Sequence, residues 1–239
     1  MKLTKRLLGV GAIAVASLAA SGTATAAFPN FSDCPTASGS IYCINVASTS
    51  GSMTIKGFTV PIHDSLEIRG GLASPDGSSV VFQAPRGTSG VFARPIQVPG
   101  GLLGIDFPIP GNAVTATAKL AGPPSALRVD LNTFTLAMPM KLALTNPILG
   151  SGCQIGSDRN PANVVLTIRR IGHADFVDGA LIFTGNTNGD STFAIPGATG
   201  CGINLGLINS LVNLKLGLPS SSGNNDLTVN NNFALKSVG

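Results

Sequence analysis

Apolar and polar residues alternate along most of the chain, so that apolar side chains recur at every second position. Leu127, Val129 and Leu131 form one such run. The longest run follows directly, and its apolar positions are all even-numbered: Phe134, Leu136, Met138, Met140, Leu142 and Leu144. A period of two places alternate side chains on one face of a β-strand. The pattern therefore predicts strands that each have one apolar face.

The change from odd to even positions occurs at Asn132. Because a shift of one residue turns every side chain of a strand to the opposite face, the change predicts a bulge or a tight turn there. Pro139 stands within the even-numbered run at an outward position. Proline cannot donate a backbone hydrogen bond, so we expect this strand to lie at a sheet edge or to bend.

Pieces rich in glycine, proline and asparagine separate the strands, such as "AGPPS", "NTNGDS" and "SSSGNND". Many short strands between such turns predict an all-β fold, either an antiparallel β-sandwich or a barrel-like domain. In "NTNGDS" we expect a hairpin turn through Asn188 and Gly189. The alternative is a calcium loop, but the piece lacks the later acidic ligand of an EF-hand.

One segment near the C-terminus has a helical period instead. Its leucines recur at spacings of four, three and four residues, as Leu207, Leu211, Leu214 and Leu218. This predicts an amphipathic helix that ends at Gly217 and Pro219. We expect its apolar face to close one end of the β core. The alternative, a helix lying on a membrane, is less favoured because the polar face carries a single lysine, Lys215.

The first 26 residues have the order of a secretory signal peptide. Basic residues precede an apolar stretch from Leu7 to Ala20, and small residues lead to a predicted cleavage after Ala26. The apolar stretch is shorter than the roughly 20 residues that cross a bilayer. We therefore expect residues 27–239 to form a single secreted β domain, extracellular or associated with the cell envelope and without a transmembrane span.

Four cysteines follow this segment: Cys34, Cys43, Cys153 and Cys201. In an exported chain an even number of cysteines predicts disulfides. Three pairings are possible, and we favour Cys34 with Cys43 and Cys153 with Cys201. No C-x-x-C pair or Cys–His spacing supports a zinc site instead.

Charge excludes some classes of partner. Removal of residues 1–26 takes away three of the fifteen basic residues and none of the eleven acidic ones, so the formal charge falls from +4 to +1. The basic residues that remain cluster only at Arg169 and Arg170, so nucleic acid is not an expected partner. Apolar residues reach 44%, which argues against disorder although charged residues make up only 11%.

Motifs of several enzyme classes are missing from the sequence. It contains no G-x-S-x-G and no Gly-Lys dipeptide, and Glu67 is its one glutamate. These features exclude the nucleophile elbow of an α/β-hydrolase, the P-loop and the H-E-x-x-H metalloproteases. We therefore predict no catalytic residue, no metal and no cofactor.

Two histidines are the remaining candidates for chemistry. His173 and Asp175 share a face if they lie in a strand, so the carboxylate could orient the imidazole as a general base beside a serine from elsewhere. His63 is a second candidate. We interpret both as ordinary surface histidines, and we keep His173 and Asp175 as possible ligand contacts.

The segment "LTNPILGSGCQIGSDRNP" joins two predicted strands. Its turn residues and Cys153 favour a corner held by a disulfide. The alternative is a binding loop in which Asp158 or Arg159 contacts a ligand. Arg159 could instead pair with Asp158.

Together with the later "LVNLKLGLPSSSGNND", this segment resembles a group of exported proteins of actinobacteria. These share a loop of the type N-P-x-L-G-x-x-C-x-I-G-S before a strand and a KLGLPS segment before the last strand. The matching loop residues here are Asn146, Pro147, Leu149, Gly150, Cys153, Ile155, Gly156 and Ser157. The resemblance implies an exported actinobacterial protein and implies no activity or substrate.

Three hypotheses on function follow. The leading one is a non-enzymatic binding or structural protein with a partner at or outside the cell envelope. The second is a carrier whose β core encloses a lipid or another apolar small molecule. The third, a hydrolase that uses His173 or His63, is the least favoured.

Overall fold

Strands follow the alternating segments in the computed structural model, which describes residues 28–76, 80–104, 110–202 and 206–239. The predicted signal peptide, residues 1–26, lies outside the described residues. The strands are β1 (Ser40–Ile55), β2 (Phe58–Ile62), β3 (Leu66–Ala73), β4 (Val81–Gln83), β5 (Val91–Ala93), β6 (Ile96–Gln97), β7 (Thr115–Leu120), β8 (Arg128–Asp130), β9 (Thr135–Thr145), β10 (Gln154–Ile155), β11 (Ala162–Arg170), β12 (His173–Val177), β13 (Ala180–Asp190), β14 (Ala198–Thr199) and β15 (Asn225–Ser237). The described helices are α1 (Leu207–Leu216) and two short 3-10 helices, Thr36–Ser38 and Pro124–Ala126.

The strands pair with antiparallel neighbours in one continuous sheet. Its order runs from β7 and β8 through β9, then β11, β13, β15 and β1, to β3, which pairs with β4 and β5. The sheet curls into a half-barrel, and β5 and β4 at one side contact β7 and β8 at the other. The predicted barrel-like, all-β fold with one helix near the C-terminus is therefore confirmed, and the apolar core lies inside the curl.

The predicted change of face at Asn132 is a hairpin turn. β8 and β9 pair from Asp130 opposite Thr135 onward, and residues 131–134 form the turn between them. The prediction of an edge strand at Pro139 is wrong, because β9 has β7 and β8 on one side and β11 on the other. Proline is tolerated because it lies between the stretches that pair with β7 and β8, where Ala121 donates its N–H to the Pro139 carbonyl at 2.9 Å.

The prediction of a hairpin turn at Asn188 and Gly189 is also wrong. Both residues lie within β13, which pairs with β11 and β15 there. Two neighbouring strands supply hydrogen bonds that outweigh the local preference of Asn-Gly for a turn. The buried carboxylate of Asp190 ends the strand, since it accepts the N–H groups of Val165 and Thr192, each at 2.7 Å.

Helix α1 ends at Gly217, as predicted, where the backbone enters the left-handed region with φ 65°. Its packing face differs from the prediction. Val212 and Leu216 are buried, whereas three of the predicted leucines are exposed: Leu207, Leu211 and Leu214. The fourth, Leu218, lies beyond the helix and is buried.

Asparagines explain why the helix turns this face to the core. The Asn213 Oδ1 accepts the N–H of Ala198 at 2.6 Å, and the Asn209 Oδ1 accepts the N–H of Cys201 at 2.8 Å. Both acceptors fix the rotation of α1 against β14 and the residues that follow it. The spacing of apolar residues contains no information on these hydrogen bonds. The prediction therefore placed Leu207, Leu211 and Leu214 on the packing face, where the structure has Val212 and Leu216.

Two disulfides form, and both pairings are those predicted: Cys34 with Cys43 and Cys153 with Cys201. Disulfides persist in non-reducing compartments, which fits an extracellular environment. In the part of the chain that the structure describes, no helix is both long enough and apolar enough to cross a bilayer.

Candidate ligand-binding site

Two apolar cavities lie inside the half-barrel. The first cavity has a volume of about 90 Å³ and is lined mainly by β1, β9, β11, β13 and β15. The second cavity has a volume of about 100 Å³, and β7, β9 and β11 supply much of its lining. Each cavity is several times larger than the roughly 10–15 Å³ that is needed to hold one water molecule. Interiors packed at native density contain few voids of this size.

The two cavities are stacked along the axis of the half-barrel. β9 lines the first cavity from Thr135 to Met138 and the second from Met138 to Leu142. β15 runs in the opposite direction, and it lines the second cavity with Leu227 and the first with Phe233. Both strands therefore place the cavities in the same order along one axis.

Four residues line both cavities and form a waist between them: Leu66, Met138, Leu166 and Val229. Met138 is unbranched and has three rotatable bonds to its terminal methyl group, so its side chain adapts readily to a new neighbour. The waist is also apolar throughout. A chain that passed it would meet no charged or hydrogen-bonding group.

Polar side chains line one side of the first cavity. Ser48 and Asn186 make hydrogen bonds within the fold: the Ser48 hydroxyl donates to the His63 carbonyl at 2.9 Å and accepts the Leu66 N–H at 3.0 Å. The Asn186 Oδ1 accepts the Gly172 N–H at 3.0 Å. The other members of this polar side include the amides of Asn188 and Asn231.

A row of aromatic rings borders the first cavity. The Phe134 and Phe183 rings meet edge to face with centroids 5.9 Å apart, and the Phe183 and Phe233 centroids are 6.1 Å apart. Phe134 adopts φ 50°, a left-handed conformation that is costly for a residue with a side chain. The turn between β8 and β9 thus holds an aromatic ring, 40% exposed, at the border of the cavity.

Asp130 is the charged residue that lines the first cavity in the described part of the chain. Hydrogen bonding by the Thr133 side chain and by the Asn132 N–H lowers the pKa of Asp130 below its usual value. The carboxylate is therefore ionised at neutral pH. It places a negative charge at this end of the cavity.

The gap between β4 and β8 leads towards the same place. It holds a more open pocket of about 420 Å³, which shares Val129, Asp130 and Thr135 with the first cavity. Among the described residues, this pocket beside the contact between β4 and β8 is an open part of the wall next to the first cavity.

A further groove lies at the other end, under α1. It has a volume of about 470 Å³ and is lined by residues such as Val114, Leu144 and Leu149. The exposed side chains of Leu103, Ile148 and Leu214 stand around it. We call this end of the half-barrel the helix end, and the end with Phe134 the turn end.

His173 and Asp175 lie together, as the sequence predicts for one strand face. The His173 Nε2 is 3.1 Å from the Asp175 Oδ1, on the exposed strand β12. Among the described residues, no serine, threonine or cysteine side chain is hydrogen-bonded to this ring. His63 is also exposed, and its backbone carbonyl accepts a hydrogen bond from the Ser48 hydroxyl. Neither histidine lines the cavities.

The pair Asp158 and Arg159 is not an ion pair. Asp158 bonds instead to the Lys141 ammonium at 2.6 Å and to the Gly122 N–H at 3.0 Å. The hydrogen bond from Lys141, with that from Gly122, lowers the pKa of Asp158. The proposed Asp158–Arg159 pairing is therefore wrong, because the neighbouring strand β9 brings Lys141 closer. Asp158 fastens the corner to β9, and neither it nor Arg159 lines the two cavities.

Within the described ranges, no group of three or more His, Cys, Asp or Glu side chains could hold a metal ion. Comparison of the chain with models of protein families, with curated proteins and with solved structures finds no match to any of them. The resemblance to exported actinobacterial proteins therefore stays a prediction.

Sequence reasoning selected none of the cavity-lining residues as ligand contacts. The alternation of residues signals an inner face, but every filled barrel core has the same signal. Asn231 offers one usable clue: it interrupts the apolar series Leu227, Val229, Phe233 and Leu235 at an inward position.

Proposed function

We propose that this chain is an exported protein that binds one linear, apolar chain of a lipid or similar small molecule inside the half-barrel. The observation that carries the proposal is the pair of stacked apolar cavities that are separated by only four shared apolar residues. The N-terminal signal pattern and the two disulfides support export.

Empty apolar space is costly, and this favours a ligand. Lining atoms that face unfilled space lack van der Waals contacts on that side, and cavities left by truncated side chains destabilise proteins for this reason. Water can bind the few polar groups on one side of the first cavity, but the apolar walls that make up most of both cavities offer it no hydrogen bonds. An apolar ligand restores the missing contacts.

The shape of the space selects the kind of ligand. Pockets for compact drug-sized molecules typically have about 300–1,000 Å³, more than either cavity offers. Two small cavities in line suit a narrow chain that passes between Met138 and Val229. The opening between β4 and β8 provides a route by which such a chain enters.

Native mass spectrometry of the exported protein tests the proposal first. We expect an adduct with the mass of a single-chain lipid, which is retained under gentle ionisation and lost on denaturation. Protein that arrives without an adduct should still bind a dye with a linear conjugated polyene chain, with a rise in fluorescence that a long-chain alcohol reverses.

Filling the space gives the matched test. Ala118→Leu adds a side chain in the second cavity, and Val229→Phe adds one at the waist. Both variants should lose at least roughly tenfold in dye affinity, while Ala118→Leu melts at the same or a higher temperature because a void is filled. Val165→Phe, on the outer face of β11, is the control and should bind the dye normally. Unchanged dye binding by both filling variants would refute an internal site.

A further inference from the structure

The polar side of the first cavity contains the side-chain amides of Asn188 and Asn231, and each has a polar atom without a hydrogen-bond partner among the described residues. The Asn231 Nδ2 donates to the Asn188 Oδ1 at 2.8 Å. The Asn188 Nδ2 and the Asn231 Oδ1 have no hydrogen-bond partner in the part of the chain that the structure describes. Asn231 is only 5% exposed and lines the first cavity, and neither free atom is among the polar atoms that are fully shielded, so a small molecule can reach both.

Strand register places the two amides side by side on the inner face. In the pairing of β13 with β15, Asn186 lies opposite Asn231 and Asn188 lies opposite Val229. Asn188 and Asn231 are therefore diagonal neighbours, within reach of one another. Their hydrogen bond fixes both amides, and the pair presents the NH₂ group of Asn188 and the carbonyl oxygen of Asn231 to the cavity.

Because both free amide atoms are accessible, either water or a polar group on an occupant of the cavity can bind them. Apolar residues at 188 and 231 would continue the alternation of their strands and fill the wall without such groups. The retained polar pair therefore points to a polar group on the occupant of the cavity.

Charge decides which polar group fits. An anion would lose its hydration in the first cavity, and none of the described residues that line this cavity is basic, so no positive charge would compensate. Arg94 and Lys141, which line the second cavity, already pair with Asp64 at 3.2 Å and with Asp158 at 2.6 Å. An uncharged group is therefore favoured over an anion.

We propose that Asn188 and Asn231 bind an uncharged hydroxyl or amide group carried by the chain in the half-barrel. A hydroxyl donates its proton to the Asn231 Oδ1 and accepts a hydrogen bond from the Asn188 Nδ2, so it satisfies both free groups. An ester can only accept a hydrogen bond, so it satisfies the Asn188 Nδ2 and leaves the Asn231 Oδ1 without a partner. This inference rests on the proposed function, and it names the ligand as a neutral single-chain amphiphile.

Competition against the polyene dye tests the selectivity at about pH 8, where a fatty acid is ionised. Dodecanol and dodecanamide should displace the dye roughly fivefold to tenfold more effectively than dodecanoate, and the methyl ester should lie between them. Equal displacement by dodecanol and dodecanoate would overturn the inference.

Asn231→Leu and the double variant Asn188→Leu with Asn231→Leu assign the selectivity to the amide pair. Both should keep the affinity for the dye and lose the preference for dodecanol. The double variant leaves no lone amide behind, so it protects the test against misfolding of the single one. Asn230→Leu is the control, since Asn230 bonds Ser50 and Thr187 and does not line the cavity.

The results separate the two proposals. If the wild-type protein binds neither dye nor any of these compounds, the proposed function is wrong and this inference is lost with it. If the dye binds but the amide variants keep the preference for dodecanol, the internal site stands and the role of the asparagines is refuted.

Discussion

Asn146 and Asn231 are buried to the same extent at opposite ends of the half-barrel, and they are used differently. At the helix end, Asn146 donates to the carbonyls of Gly111 and Ala113 at 2.7 and 2.8 Å and accepts the Ile148 N–H at 2.8 Å. At the turn end, Asn231 leaves its carbonyl oxygen without a partner. Buried asparagine thus fastens loops at one end and faces a cavity at the other.

The helix end is a structural closure. The Cys153–Cys201 disulfide, the asparagines of α1 and Asn146 hold the loops between strands against each other. Residues 144–161, which contain Cys153 and several turn residues, therefore form a corner between strands that the disulfide holds in place. The turn end has the Phe134, Phe183 and Phe233 rings and an open pocket beside β8. It also has two amides that lack some hydrogen-bond partners, and we expect such features where a ligand enters.

Removal of the helix-end disulfide should have the largest effect on stability. Cys153→Ser with Cys201→Ser opens a link over a sequence separation of 48, which should cost about 4 kcal/mol in the chain-entropy estimate. Cys34→Ser with Cys43→Ser opens a separation of 9 and should cost about 3 kcal/mol. Urea unfolding without reductant measures both. A larger loss of stability on removal of the Cys34–Cys43 disulfide would contradict the view that the Cys153–Cys201 disulfide holds the helix end closed.

Substitution of the two buried asparagines tests the comparison most directly. Asn146→Ala leaves two carbonyls and one N–H unbonded and should lower the free energy of unfolding by about 3 kcal/mol. Asn231→Leu removes an amide that is only partly bonded and should change it by less than about 1 kcal/mol. Urea unfolding of both variants, with ligand removed, gives the two values. Similar losses would mean that Asn231 is structural as well.

The packing face of α1 can be checked with a pair of leucines. Leu216→Ala should cost about 2 kcal/mol, because the side chain is 8% exposed and contacts the core. Leu214→Ala should change stability by less than about 0.5 kcal/mol, because Leu214 is 81% exposed. Thermal melts of the two variants are sufficient. A larger loss of stability for Leu214→Ala than for Leu216→Ala would mean that α1 packs through the leucine face that the sequence predicts.

The smallest expected effect is on acid stability. Because the pKa of Asp158 is lower in the folded chain than the ordinary value of 3.8, its contribution to stability is present above that value. The contribution is lost as the pH falls through the lowered pKa. Asp158→Asn should therefore show a smaller loss of stability between about pH 6 and about pH 3 than the wild-type protein.

Lys141→Met provides the control for this prediction. It removes the first cause of the lowered pKa of Asp158, so it should reduce the acid sensitivity in the same direction. Urea midpoints at the two pH values measure the change. An acid sensitivity equal to that of the wild-type protein in both variants would contradict the assignment.

Local patterns predicted the fold where neighbouring residues determine the outcome. Alternation predicted the strands, the change of parity at Asn132 predicted the turn between β8 and β9, and Gly217 marked the end of α1. The errors fall where distant strands decide. Pro139 and Asn188 have the local preferences of an edge and a turn, yet both lie in inner strands because partners pair on either side.

The candidate site was less predictable than the fold. His173 and Asp175 do lie close together, but they lie on the exposed strand β12. The cavities arise from how completely side chains fill a curled sheet, and that depends on strand register and curvature. No spacing of residues along the chain reports a volume of empty space.

The sequence by itself determined the all-β class and the position of the helix, because period-two patterning and helix-ending residues act over short distances. It favoured the two disulfide pairs among three possible pairings, and the structure decided between them. Only the tertiary structure decided which side of α1 packs, which asparagines fasten loops and where the interior stays open. These depend on groups from β1, β9, β13 and β15 that meet only when the sheet has curled.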